Sequence, residues 1–152
     1  MTEPILDAPY LDTSVLLKRY VGEALSGEVD DFLQRFRYAW ISRLSIVEFR
    51  CALARKRRNN ELDEEAERLA VKGFEDDLRD GYFEPLSLDD ATFAQARGLI
   101  DQLPDTPLRA LDALHLAVAL HHHIGLVATA DRVMARAATH LGLSTQPFFS
   151  VT

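Results

Sequence analysis

Residues 8–24 read APYLDTSVLLKRYVGEA. Tyr10 and Leu11 end a short apolar run suited to a strand, Asp12, Thr13 and Ser14 make a turn, and from about Val15 the apolar residues recur at helical spacing. Asp12 is thereby set at the C-terminal end of a strand. Working outward, the same unit returns near the other end of the chain. LVAT, Leu126 to Thr129, is an apolar-rich strand, Asp131 follows at once, and a helix runs to Leu141 with Gly142 as its C-cap. Strand, aspartate, helix: the pattern occurs twice, and both aspartates belong to the same edge of a sheet.

The intervening chain alternates in the same way. A helix is expected over Ala24 to Phe36, a strand over Tyr38 to Ile41, and a helix over Leu44 to Asn59 that contains Glu48. A charged amphipathic helix follows from Asp63 to Asp80, stopped by Gly81, then a strand over Tyr82 to Pro85. Asp89 or Asp90 caps a helix reaching Leu103, Leu108 to Ile124 forms a helix closed by Gly125 with Asp112 in its first turn, and a last strand falls near Ser144 to Phe148. Strands alternating with helices predict an α/β fold, a three-layer α/β/α sandwich on a mostly parallel sheet, which binds ligands at the carboxyl ends of its strands. Neither an internal repeat nor a long Gly/Ser linker interrupts the 152 residues, so a single domain over 1–152 is expected.

Composition narrows the function classes. Hydrophobic residues make up 47% of the chain and charged residues 27%, enough to build a core, which excludes whole-chain disorder. One cysteine, Cys51, excludes an internal disulfide and a Cys-based zinc site. With no basic-then-apolar secretory start, a cytoplasmic location is expected, and no apolar run approaches the roughly 20 residues that cross a bilayer. The formal net charge of -7 argues against nucleic-acid binding through overall positive potential, but carboxylates that converge on a metal ion reverse the charge locally. Phosphate-cradling GxxxxGK[ST] and GxGxxG loops are absent, which disfavours NTPases and dinucleotide enzymes.

Four acids from four segments stand beside apolar runs: Asp12 in PYLDTSVLL, Glu48 in SIVEFRCAL, Asp112 in LRALDALHLAVAL and Asp131 in LVATADRVM. A lone charge near a core costs several kcal/mol unless paired or bound to a cation. Taken one at a time, each has a structural explanation: Asp12 and Asp131 as helix caps, Asp112 paired with Arg109, Glu48 with Arg55 two turns along its own helix. Taken together, hard oxygen donors with little sulfur or imidazole favour Mg²⁺ or Mn²⁺.

The stretches LDTSVLLKRY, SRLSIVEFRCALAR, RALDALHLAVAL and TADRVMARAATHLGL resemble the successive acidic motifs of PIN-domain ribonucleases, in particular the VapC-like toxins of bacterial type II toxin–antitoxin systems. The resemblance spans nearly the whole chain, in order, and is weakest over the charged segment from Glu61 to Asp80. It implies a catalytic and metal-binding set of Asp12, Glu48, Asp112 and Asp131, with Thr13, Ser14 and Thr129 at accompanying hydroxyl positions. It further implies one or two Mg²⁺ or Mn²⁺ ions, hydrolysis of an RNA phosphodiester to a 5′-phosphate and a 3′-hydroxyl, a cognate antitoxin covering the acidic groove, and a toxin homodimer formed through exposed apolar helix faces.

Arg43, Arg50, Arg55, Lys56, Arg57 and Arg58 make a local basic concentration. Lys56 to Arg58 read as solvated residues that complement a helix dipole, whereas Arg55 shares a stripe with Glu48 and is a candidate RNA contact. His121, His122 and His123 lie about 100° apart around a helix and cannot chelate one ion together. His115 reads as a packed helix residue near the site, Cys51 as a small core residue, and Trp40 as strand packing. Two other readings compete. An aspartate after the first strand also suits a haloacid-dehalogenase-like phosphatase, but Ser14 stands where that motif has its second aspartate. A catalytically inactive interaction module on the same scaffold is the other, and the intact set of four acids speaks against it.

Overall fold

Tyr10–Leu11 forms strand β1 at the centre of a five-stranded sheet. Its companions are β2 (Ala39–Ser42), β3 (Phe83–Leu86), β4 (Leu126–Thr129) and β5 (Ser144–Pro147), in the order β3-β2-β1-β4-β5. Every pairing is parallel, with Tyr10 opposite Trp40 on one side and Val127 on the other. The computed structural model describes residues 7–149, so residues 1–6 and 150–152 of the expected domain lie outside the described residues.

Seven helices among the described residues cover the sheet: α1 (Thr13–Tyr20), α2 (Ser26–Leu33), α3 (Arg43–Arg58), α4 (Glu64–Arg79), α5 (Asp90–Gln102), α6 (Ala110–His121) and α7 (Arg132–His140). Successive strand side chains point to opposite faces, and the core divides accordingly. Leu11, Ile41 and Ala128 pack with Val15, Leu16, Val29, Phe49, Leu53 and Phe74 of α1 to α4. Tyr10 and Val127 face the other way, onto Val118 and Ala119 of α6, and the remaining apolar side of α6 packs against α5 and α7. The result is the expected three-layer α/β/α sandwich with a wholly parallel sheet. No helix among the described residues is long and apolar enough to cross a membrane.

Chain order places the functional edge. From β1 the chain proceeds outward through β2 to β3, then returns to β4 on the opposite side of β1. This reversal opens a crevice at the carboxyl ends of β1 and β4, where loops diverge to opposite faces. Asp12 directly follows β1 and Asp131 lies two residues after β4.

Several local expectations shift. Thr13 and Ser14 belong to α1 and not to a turn, because Asp12 caps the helix at once: its Oδ1 accepts from the Val15 amide at 3.2 Å. Helix α6 starts at Ala110 and ends at His121, short of the expected Leu108 to Ile124. Arg109 is extended at its N-terminus, and His123, ahead of Gly125, takes the left-handed conformation (φ 56°) at its end. Cys51 is exposed and not in the core; Phe49, Ala52 and Leu53 occupy the buried stripe of α3. Phe49 meets the rings of Tyr20 and Phe74 at centroid distances of 5.5 and 4.6 Å, and this aromatic anchor fixes the helix that carries Glu48.

Candidate active site

Asp12, Glu48, Asp112 and Asp131 line one open cleft of about 480 Å³, together with Thr13, Ser14, Arg55, Arg109 and His115. The acids arrive from α3 and from the N-terminal ends of α1, α6 and α7. Three of them bind backbone amides there. Asp12 Oδ1 takes the Val15 amide, Asp112 Oδ2 takes the Arg109 amide at 3.2 Å, and Asp131 Oδ1 takes the amides of Val133 and Met134 at 2.8 and 3.1 Å. Helix capping and a common cleft therefore coexist in one geometry, because capping is what aims these carboxylates. Three helix N-termini thus present their positive dipole ends to the carboxylates that cap them, a favourable interaction for each negative charge.

Asp12 is 4% exposed and has no cationic partner within ion-pair distance among the described residues. Ser14 donates to its Oδ1 and Thr129 to its Oδ2, each at 2.5 Å. Burial raises its pKa above the ordinary aspartate value, outweighing those hydrogen bonds. Ser14 and Thr129 also accept the amides of Ala130 and Asp131, tying β1, α1 and the loop after β4 into one network.

Glu48 is held differently. Its Oε1 accepts from Thr13 at 2.9 Å and from His115 Nε2 at 2.6 Å. The opposite ring nitrogen, Nδ1, lies 2.5 Å from the Tyr10 hydroxyl, which burial and the Asp12 charge keep protonated. Tyr10 donates to Nδ1, so Nε2 carries the proton that Glu48 accepts. Burial by itself would raise the Glu48 pKa; the hydrogen bonds from His115 and Thr13 and the nearby charge of Arg109 bring it below the ordinary value. Thr13 also lies 3.1 Å from Ser45 Oγ, and since its single proton serves Glu48, Ser45 donates in that second contact.

The Arg109–Asp112 pair that the spacing predicts is present: Nε lies 3.2 Å from Asp112 Oδ2. The guanidinium also reaches Asp131 Oδ2, at 3.0 Å from Nη2. Arg55 is exposed on the cleft wall and makes no ion pair with Glu48, whose partners are Thr13 and His115. Arg50, Lys56 and Arg57 are engaged by Glu67, Glu23 and the pair Glu64 and Glu67. His115 and Arg109 are the site residues that sequence reasoning undervalued. The available signal was periodicity, since Arg109, Asp112 and His115 recur every three residues along one face.

Among the described residues, no three Asp, Glu, His or Cys side chains already stand in an arrangement that would hold a metal ion. The donor set nonetheless fits a hard divalent cation in kind: carboxylate oxygens facing one cleft, one of them buried without a counter-charge, and two others joined by one arginine.

A parallel sheet whose strand order reverses beside an acidic cleft defines an α/β protein with its ligand crevice at the carboxyl ends of the strands. The PIN domain family model matches residues 10–139, and the chain belongs to that family. The fold is similar to the crystal structure of FitAcB from Neisseria gonorrhoeae, at 20% identity and a TM-score of 0.62, over 90% of this chain and 94% of that one. It is also similar to PAE2754 from Pyrobaculum aerophilum, at 17% identity and a TM-score of 0.57, over 92% of each chain. None of the curated proteins matches the chain by sequence.

Proposed function

We propose that this protein is a metal-dependent endoribonuclease and the toxin of a toxin–antitoxin pair. The single observation that carries this reading is the meeting of Asp12, Glu48, Asp112 and Asp131, far apart in sequence, in one cleft at the carboxyl edge of the sheet. Membership of the PIN domain family supports it. These four would hold one or two Mg²⁺ or Mn²⁺ ions, which supply positive charge against the scissile phosphate and acidify water for in-line attack.

The chain's own residues do the rest. Ser14 and Thr129 occupy both oxygens of Asp12 and fix its plane, while Thr13 and His115 converge on Glu48 Oε1 and leave Oε2 without a hydrogen bond among the described residues. Glu48 Oε2 and Asp112 Oδ1, which likewise makes no hydrogen bond among the described residues, are thus the open carboxylate oxygens of the site. Arg55, exposed on the wall, would meet a flanking RNA phosphate. Val47 and Leu111 also line the cleft and are 65% and 44% exposed; this apolar rim suits an antitoxin segment laid over the acids. Phe93 and Ile100, two turns apart on α5 and both exposed, would serve a homodimer contact. The cytoplasm, with its RNA and reducing conditions, is the corresponding compartment.

The test is cleavage of a fluorescently labelled single-stranded RNA by the wild type, Asp12→Asn and Asp112→Asn, with Mg²⁺ or Mn²⁺ and with EDTA. Metal-dependent cleavage that falls about a hundredfold or more in both variants is expected. Cleavage that survives EDTA, or variants as active as wild type, would defeat the reading. Hydrolysis of a phosphate monoester through a trapped aspartyl-phosphate would replace it with the phosphatase alternative.

A further inference from the structure

Arg109 makes contacts that its position as the cap of α6 does not require. Its side chain is 77% exposed, yet its tip turns into the cleft and joins two carboxylates from different parts of the chain, Asp112 on α6 and Asp131 after β4. Like charges brought together need a cation between them. An exposed guanidinium held by two such pairs is weakly fixed, because ion pairs open to solvent on one side are screened and contribute little each. The same oxygens, Asp112 Oδ2 and Asp131 Oδ2, belong to the carboxylates assigned to metal binding, so the guanidinium and a divalent ion compete for them.

We propose, resting on the metal-dependent reading above, that Arg109 is a built-in counter-cation which a divalent ion displaces from Asp112 and Asp131, and which then becomes a ligand for an RNA phosphate. Anchored at the N-terminus of α6, the freed side chain remains at the cleft, where Arg55 is the other cationic side chain of the lining. Its planar fork matches two phosphate oxygens, and its charge now faces substrate instead of acid. Metal loading and substrate binding are thereby coupled: the ion that prepares the site also releases the residue that grips RNA.

The sign of one measurement separates this role from a scaffolding one. Calorimetric titration of the full chain with Mn²⁺ is compared for wild type, Arg109→Gln, Arg109→Lys and Asp112→Asn, alongside the KM of a short single-stranded RNA at saturating Mn²⁺. With the competitor gone, Arg109→Gln should bind Mn²⁺ about fivefold more tightly and show a KM raised about tenfold. Arg109→Lys, which keeps the charge, should stay near wild-type Mn²⁺ affinity. If Arg109→Gln binds Mn²⁺ no more tightly, Arg109 only holds the acids in place and the displacement role is wrong; an unchanged KM overturns the phosphate role. Wild-type protein that binds no Mn²⁺, or binding that persists undiminished in Asp112→Asn, overturns the metal reading itself and this inference with it.

Discussion

Asp12 is a carboxylate kept in an unfavourable place. Its neighbours donate hydrogen bonds but none brings a positive charge within ion-pair distance, and burial pushes its pKa up. For an acid whose folded pKa is raised, the unfolded chain releases its proton first as pH increases. Stability of the metal-free protein is therefore lost as pH climbs from the ordinary aspartate range through the raised folded value. Asp12→Asn, which keeps an acceptor for the Val15 amide and can donate to Thr129, should remove that loss. In EDTA at pH 7 its Tm should exceed that of wild type by about 2–4 °C, the shift produced by about 1 kcal/mol in a domain of this size. The difference should shrink in thermal melts as pH is lowered below the ordinary aspartate value; a Tm advantage that is absent or independent of pH would contradict the account. Glu48 shows the opposite adjustment, since His115 and Thr13 stabilise its charged form. Two carboxylates in one cleft thus have different proton affinities because Asp12 is the more deeply buried, while Glu48 is partly open and takes hydrogen bonds from His115 and Thr13.

At the scale of the element, helix capping and site building are the same act. Asp131 accepts two amides of the first turn of α7 through Oδ1 and presents Oδ2 to Arg109. The two duties can be separated by substitution. Asp131→Ser retains a capping oxygen and should stay within about 0.5 kcal/mol of wild type, whereas Asp131→Ala should lose about 1 kcal/mol, both read by urea unfolding. Both should lose metal-dependent RNA cleavage alike, because neither offers a carboxylate to the cleft. Equal stability of the two would show that Oδ1 is not acting as a cap. Helix α3 separates its own duties by face: Phe49 locks it to Tyr20 and Phe74, while the adjacent Glu48 reaches the cleft.

At the scale of the molecule, four like charges gathered at one edge make the fold responsive to cations. A ligand that binds only the folded state stabilises it by mass action, by about 2.7 kcal/mol at a hundred times its dissociation constant. Mn²⁺ should therefore raise the wild-type Tm by roughly 6–10 °C at that excess, and NaCl of equal ionic strength should not. Asp112→Asn should lose most of the shift; a shift retained in that variant would place the ion elsewhere. Much of this organisation was legible along the chain. The alternation of strands and helices, the caps at Asp12, Asp89 and Asp131, and β4 with its following aspartate follow from local spacing and backbone chemistry, which act over a few residues and leave their pattern in sequence. The end of α6 was misplaced because His123, a residue with a Cβ, takes the left-handed turn that Gly125 could have made more cheaply. The partners of Glu48 were misplaced for a different reason. Local periodicity pointed to Arg55 on the same helix, whereas His115 lies 67 residues away and meets Glu48 only after β1 brings Tyr10 beneath α6. Local sequence thus determined the elements and placed three of the acids at strand ends and helix starts and Glu48 within α3; the crossover to β4 decided that those acids share a cleft and that Arg109 spans two of them, because contacts between distant segments exist only once the sheet has set their distance.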